Sequence, residues 1–251
     1  MRLDLARVGV RYGGVEAVRD IDLSIAGGEI LALLGPNGSG KTSLIRAIAG
    51  LVPMTGRLLF DQRPERPRDI GYMPQDIATQ AALTVLEVVL LGRFGKLGLR
   101  VGRHDLAAVQ GLLADLGIAA LAGRQVTQLS GGQRQLVFLA QALAAHPRLL
   151  LLDEPISALD IRHQLEVMEM LRRVTRERGI TTITILHDLN VAARFADQIV
   201  MMRAGACIAA GPVETVLTPA LVEQAFEVVP LVFRAPDGRL LVTPLHASPH
   251  R

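Results

Sequence analysis

Tryptophan is absent, tyrosine occurs twice, and aromatic residues make up 3% of the 251 residues. The interior must therefore be built from Leu, Val, Ile and Ala. Cys207 stands alone, which excludes an internal disulfide and any multi-cysteine metal site and fits a reducing compartment. No apolar run approaches the roughly 18 residues that a membrane-spanning helix needs. The start is not a signal peptide either, because Met1 to Tyr12 carries Arg2, Asp4, Arg7 and Arg11. Neither sign of charge dominates: 27 basic against 24 acidic residues leave a net of +3, too mild to argue for nucleic acid. What remains is 50% apolar with a mean hydropathy of +0.34. That suits a soluble cytoplasmic protein with a sizeable core, of one large domain or two small ones.

Strand-like and helix-like runs alternate, the pattern of an α/β fold with a largely parallel sheet. Leu3 to Tyr12 and Val18 to Ile25 alternate apolar with polar, as half-exposed strands do. Ile30 to Leu34, Leu149 to Leu152 and Thr181 to Leu186 are short continuous runs that suit strands buried on both faces. Lys41 to Ala49, Leu165 to Glu177 and Leu189 to Phe195 read as helices. From about Ala81 to Ala145 the runs are helical, over Thr84 to Leu91, Asp105 to Gly117 and Gln133 to Ala144. That stretch predicts a helical subdomain inserted into the α/β core. Short strands are expected around Met201 and Ile208, followed by a small tail punctuated by Pro230, Pro236, Pro244 and Pro249.

Three motifs carry chemistry. Ile30 to Leu34 runs into Gly35-Pro36-Asn37-Gly38-Ser39-Gly40-Lys41-Thr42, with Ser43 next in the helix. Glycines let such a loop wrap closely, so that backbone N–H groups point at phosphate oxygens and the helix N-terminus adds its dipole. Lys41 can reach the β- and γ-phosphates, and the Thr42 hydroxyl can ligate Mg²⁺. A plain Gly-rich strand–helix turn is the alternative, and the complete motif in this context argues against it. The second motif, Leu149 to Leu152 followed by Asp153-Glu154-Pro155, delivers two carboxylates at a strand's C-terminal end. Asp153 there would hold Mg²⁺ and Glu154 would act as base for the attacking water; an acidic helix cap is the other reading. The third is Leu129-Ser130-Gly131-Gly132-Gln133, 20 residues before the acidic strand and at the start of a helix. It again offers backbone N–H groups to an anion.

Together the three motifs resemble the ATP-binding cassette (ABC) ATPases over nearly the whole chain. The resemblance implies one cassette over residues 1–251. It implies a phosphate-loop NTPase core with a largely parallel sheet, an antiparallel β subdomain, and a helical subdomain at about 78–146. It implies ATP and Mg²⁺ as cofactors, and it assigns further residues. Tyr12, before Gly13-Gly14, is similar to the aromatic that stacks on adenine. Gln75 matches the glutamine-loop residue that touches Mg²⁺ and the water. Asp160 in Ser157-Ala158-Leu159-Asp160 matches the D-loop that crosses the dimer interface, and His187 matches the switch histidine at the γ-phosphate. Ile156 departs from the small polar residue usual after Asp-Glu-Pro. In the family two cassettes dimerise head to tail, each ATP lying between one phosphate loop and the partner's Ser130 motif.

Leu83 to Arg93, His187 to Asp197, and Ala209 to Glu214 through Leu217-Thr218-Pro219 are similar to the importer branch for iron–siderophore, haem and cobalamin. The resemblance then implies membrane permease subunits as partners, an extracytoplasmic binding protein acting through them, no nucleic acid, and a place on the cytoplasmic face of the inner membrane. Arg93, Lys96, Arg100 and Arg103 put four cations within 11 residues, either as a face towards the membrane partner or as a solvated loop. Cys207 reads as an inert core thiol. A metal-ion importer ATPase, a non-transport cassette protein of DNA or translation, and a small-molecule kinase are the alternatives. The second usually adds cysteines, a coiled coil or another cassette, and the third has no use for Ser130 or His187.

Overall fold

The computed structural model describes residues 1–64, 67, 69–75, 82–93 and 101–248. In chain order the strands are β1 (Leu3–Tyr12), β2 (Val15–Ile25), β3 (Ile30–Leu34), β4 (Thr55–Phe60), β5 (Ile70–Met73), β6 (Leu149–Asp153), β7 (Thr181–Ile185), β8 (Gln198–Arg203), β9 (Ala206–Pro212), β10 (Val228–Arg234) and β11 (Leu240–Ala247). The helices are α1 (Lys41–Ala49), α2 (Val85–Leu91), α3 (Arg103–Asp115), α4 (Gly131–Ala144), α5 (Ile161–Arg178), α6 (Leu189–Phe195), α7 (Val213–Val216) and α8 (Pro219–Phe226).

The continuous apolar runs become the centre of a six-stranded sheet ordered β5-β6-β7-β3-β8-β9. β3, β6 and β7 are buried at every residue. All pairings are parallel except β8 with β9. Because side chains alternate along a strand, each run feeds two cores. Leu31, Leu33, Leu149, Leu151, Ile183 and Ile185 face α1 and the antiparallel sheet β2-β1-β4. Ala32, Leu34, Leu150 and Leu152 face the core built on α4, α5 and α6. Cys207 packs half-buried at the edge of the first core, where burial pushes its thiol pKa up.

Helices α2, α3 and α4 lie between β5 and β6 in the chain. Their caps follow from the sequence: Thr84 and Glu87 form a capping box on α2, and Ser130 and Gln133 form one on α4. The tail is more ordered than its prolines suggest. β10 and β11 pair as a hairpin in which Pro230 faces Pro244. The Asn190 side chain of α6 fastens it, donating to the Val242 carbonyl (3.2 Å) and accepting from the Val242 N–H (2.8 Å).

Arg93 corrects the basic-face reading. Only 7% exposed, it donates from Nε to Asp105 Oδ1 (2.9 Å) and from Nη1 to the Ala144 carbonyl (3.1 Å). It thus ties the end of α2 to the start of α3 and the end of α4. Lys96 and Arg100 lie outside the described residues, and Arg103 is exposed on α3. The guanidinium, with the Gly102 N–H, holds the Asp105 carboxyl below the usual carboxylate range. This contribution to stability is complete at neutral pH and is lost as pH falls through that lowered value. Asp105→Ala strands a buried guanidinium, so we expect its melting midpoint to drop by about 5–10 °C. Arg93→Leu with Asp105→Leu together should lose less; equal losses in a thermal melt would refute the pairing.

Candidate functional site

Three adjacent strands end side by side and carry the chemistry. β3 leads into Gly35–Thr42, β6 ends at Asp153 and Glu154, and β7 leads to His187; the parallel order β6-β7-β3 makes them neighbours. Gln75 follows β5, which pairs with β6. Ala17, Asn37 to Ser43, Gln75 and Glu154 line a cavity of about 300 Å³. Gly35 and Gly40 have φ of 145° and 98°. A Cβ on Gly35 would run into the Met202 carbonyl oxygen, and one on Gly40 into that of Ala17. Only glycine fits either place.

Lys41 is buried at the start of α1, and Nζ donates to the carbonyls of Gly35 (2.8 Å) and Pro36 (2.9 Å). Burial lowers its pKa, opposed by the carboxylates of Glu154 and Asp153. Asp153 is 1% exposed, and neither carboxylate oxygen has a hydrogen-bond partner among the described residues. Burial raises its pKa, and the nearby Thr42 hydroxyl pulls the other way. A buried carboxylate whose nearest donor is a single hydroxyl suits a divalent cation that takes its other ligands from phosphate and water. The residues therefore fit Mg²⁺: Thr42 and Asp153, with Gln75 in the same cavity lining as Thr42, would hold it, and a bound cation there would neutralise phosphate charge.

Glu154 gathers the rest. Its Oε1 accepts from Gln75 Nε2 (2.9 Å) and lies 2.6 Å from His187 Nε2. Two residues, 79 and 33 positions away in the chain, thus meet one carboxylate oxygen of a residue that lines the cavity. The backbone of Glu154 is left-handed, φ 55°, a conformation that costs on the order of 1–3 kcal/mol in a non-glycine residue. Ile156 is buried in the core, so an apolar side chain is what that position asks for.

The structure separates the remaining residues from this cavity. Ser130 caps α4 and, with Gly131, Gly132 and Gln133, lines a second groove of about 830 Å³ shared with Ala158, Leu159, Asp160 and His163. Asp160 caps α5 through the His163 N–H (2.9 Å). Tyr12 is 44% exposed at the end of β1, outside the cavity lining. One residue escaped the sequence reading. Gln135, on α4, is 6% exposed and hydrogen-bonds the backbone of Glu154 and Ala158. A lone polar residue on the apolar face carrying Leu136, Leu139 and Leu143 was the available signal.

Comparison with known proteins shows the family. The family described as ABC transporter matches residues 18–157. The chain is 36% identical to the iron(3+)-hydroxamate import ATP-binding protein FhuC of Bacillus subtilis, over 90% of this chain and 88% of that one. It is 38% identical to the hemin import ATP-binding protein HmuV of Rhodopseudomonas palustris, over 96% and 97%. Among solved structures, a metal-chelate type ABC transporter in an inward-facing conformation superposes with a TM-score of 0.85 at 28% identity, over 97% of both chains. The chain belongs to the ABC transporter family, as an ATPase subunit related to the iron-chelate and hemin import ATPases.

Proposed function

We propose that this chain hydrolyses ATP as the motor of an importer for an iron–chelate of the siderophore type. It works as a head-to-tail pair on the cytoplasmic face of the membrane, against permease subunits fed by an extracytoplasmic binding protein. The observation that carries the motor reading is the meeting of Gln75 and His187 on Glu154 beside the phosphate loop. Glu154 takes the proton of the attacking water, Gln75 and His187 orient it, and Lys41 with the loop N–H groups hold the phosphates. Exposed Tyr12 stacks on adenine. The Ser130 groove lies apart from the cavity, which supports the reading that a second copy supplies that motif to each ATP. Among the described residues no helix is long and apolar enough to cross a membrane, in keeping with a separate permease.

The cargo reading is supported by what the relatives are named for: a ferric hydroxamate, and hemin as the second candidate. The test is uptake in a strain lacking this chain, with its permease and binding protein intact. Labelled ferric hydroxamate uptake should return with the wild-type chain and not with Glu154→Gln. Normal uptake of ferric chelate, haem and cobalamin in the deletion strain, with loss of free metal-ion uptake, would reject the branch.

A further inference from the structure

Gln135 has a buried side-chain amide that, among the described residues, bonds nothing on its own helix. Its Nε2 donates to the Glu154 carbonyl (2.6 Å) and to Ser157 Oγ (3.2 Å), and its Oε1 accepts from the Ala158 N–H (3.0 Å). Both amide hydrogens are committed, one of them to the residue with the left-handed backbone. Ser157 Oγ also donates to the Glu154 carbonyl (3.2 Å). From the other side, Gln164 of α5 holds the carbonyls of Ile156 (3.2 Å) and Leu159 (3.0 Å). The first turn of α4 leaves no slack either, since a Cβ on Gly132 would stand 2.9 Å from the Ala158 carbonyl oxygen. Residues 154–160 and the N-terminal half of α4 are thus joined by close packing and a fully satisfied buried polar group. Such a unit moves as a body rather than deforming.

That unit has two ends. One is Ser130, the N-cap of α4, facing the second groove. The other is the backbone of Glu154, a residue that lines the first cavity. We propose that Gln135 is a positioning residue that locks the backbone of Glu154 to the helix bearing Ser130, so that engagement of Ser130 with the partner's nucleotide orients the base for the nucleotide of its own subunit. The inference rests on the head-to-tail reading above. It adds a route by which the two sites report to each other, a coupling between ligands at distinct sites.

The test uses the full chain, with ATPase rate followed against ATP concentration. The wild type should be cooperative in ATP. Gln135→Leu fills the volume without hydrogen bonds; its kcat should fall about 10–100-fold, the scale of a base displaced by about 1 Å. Its KM for ATP should stay within about threefold, because the phosphate loop is untouched, and its Hill coefficient should drop to 1. Gln135→Glu keeps the acceptor for Ala158 and loses both donors, so it should show the same loss of cooperativity; it carries the test alone if the leucine variant does not fold. The rate loss caused by Ser130→Ala should shrink in the Gln135→Leu background, since both act through one path. A wild-type rate and Hill coefficient in both Gln135 variants would overturn the proposal. So would a slower enzyme with unchanged cooperativity and an additive Ser130→Ala effect, the mark of a merely structural role. Failure here is separable from failure of the functional reading. If Glu154→Gln is inactive and dimeric while the Gln135 variants behave as wild type, only this inference falls. A non-cooperative wild type with monomeric Glu154→Gln would sink the shared site and this inference with it.

Discussion

Glu154→Gln should release phosphate more slowly by a factor on the order of 10²–10⁴ and run as a dimer on size-exclusion chromatography when ATP is present. The amide keeps the shape of the carboxylate and can still meet Gln75 and His187, whose nitrogens lie 2.9 and 2.6 Å from Oε1. What it removes is the negative charge and the basicity. ATP binding should survive, because Lys41 and the glycine loop hold the phosphates without help from Glu154. On the head-to-tail reading proposed above, the variant then accumulates in a closed state that hydrolysis would open. Adding Ser130→Arg puts a bulky cation at the cap of α4, in the groove it shares with Asp160, and should return the protein to monomer. Wild-type turnover in Glu154→Gln would remove Glu154 as the base. An inactive variant that stays monomeric at saturating ATP would refute closure by the cassette pair alone.

Much of this site was legible in the sequence because it is local. The phosphate loop and the Ser130 motif are contiguous, and each works through backbone geometry that glycine and a cap residue dictate. The central strands were legible for a related reason: a strand buried on both faces must be apolar throughout, as Leu149 to Leu152 are. Partners that are distant in the chain are harder to read from it. Arg93 sits among cations in the chain, yet its partner is Asp105, 12 residues on and brought near by the start of α3. β4 and β5 are short and carry Gly56 and Gly71, so neither alternation nor a continuous run marks them. Gly71 is required because α4 crosses close by: a Cβ there would meet the Ala142 carbonyl. Pro230 and Pro244 read as strand breakers, but in a two-stranded hairpin every strand is an edge, where proline is tolerated. Helix α5 begins at Ile161, four residues earlier than its apolar periodicity, because Asp160 caps it. Gln135 shows the same limit in functional form. Its role exists only where α4 meets the turn after β6.

Asp153→Asn should make the nucleotide-free protein more stable while removing its response to Mg²⁺. Asp153 is buried on the last residue of β6 with both oxygens unpartnered among the described residues. Burial raises its pKa above that of the unfolded chain, so between the two values the native state binds more protons and stability falls as pH rises through that window. At neutral pH the folded protein therefore carries a buried charge that the Thr42 hydroxyl and the Arg46 and Lys41 cations offset only in part. Asparagine has nearly the same shape and no charge, and relieving the strain should be worth about 1–3 kcal/mol. For a chain of this size that is roughly 2–4 °C in melting midpoint per kcal/mol. The gain is specific to the empty site. In the wild type, adding Mg²⁺ to ATP-bound protein should raise the midpoint further, because a cation that binds only the folded state stabilises it by mass action. In Asp153→Asn that increment should vanish, and turnover with it, since the uncharged Thr42 and Gln75 cannot hold the ion against water. Thermal melts with ATP and with Mg²⁺-ATP, run on both proteins, decide the matter. A variant less stable than wild type without nucleotide would show that Asp153 is satisfied in the folded chain, and a retained Mg²⁺ increment would take it out of the metal site.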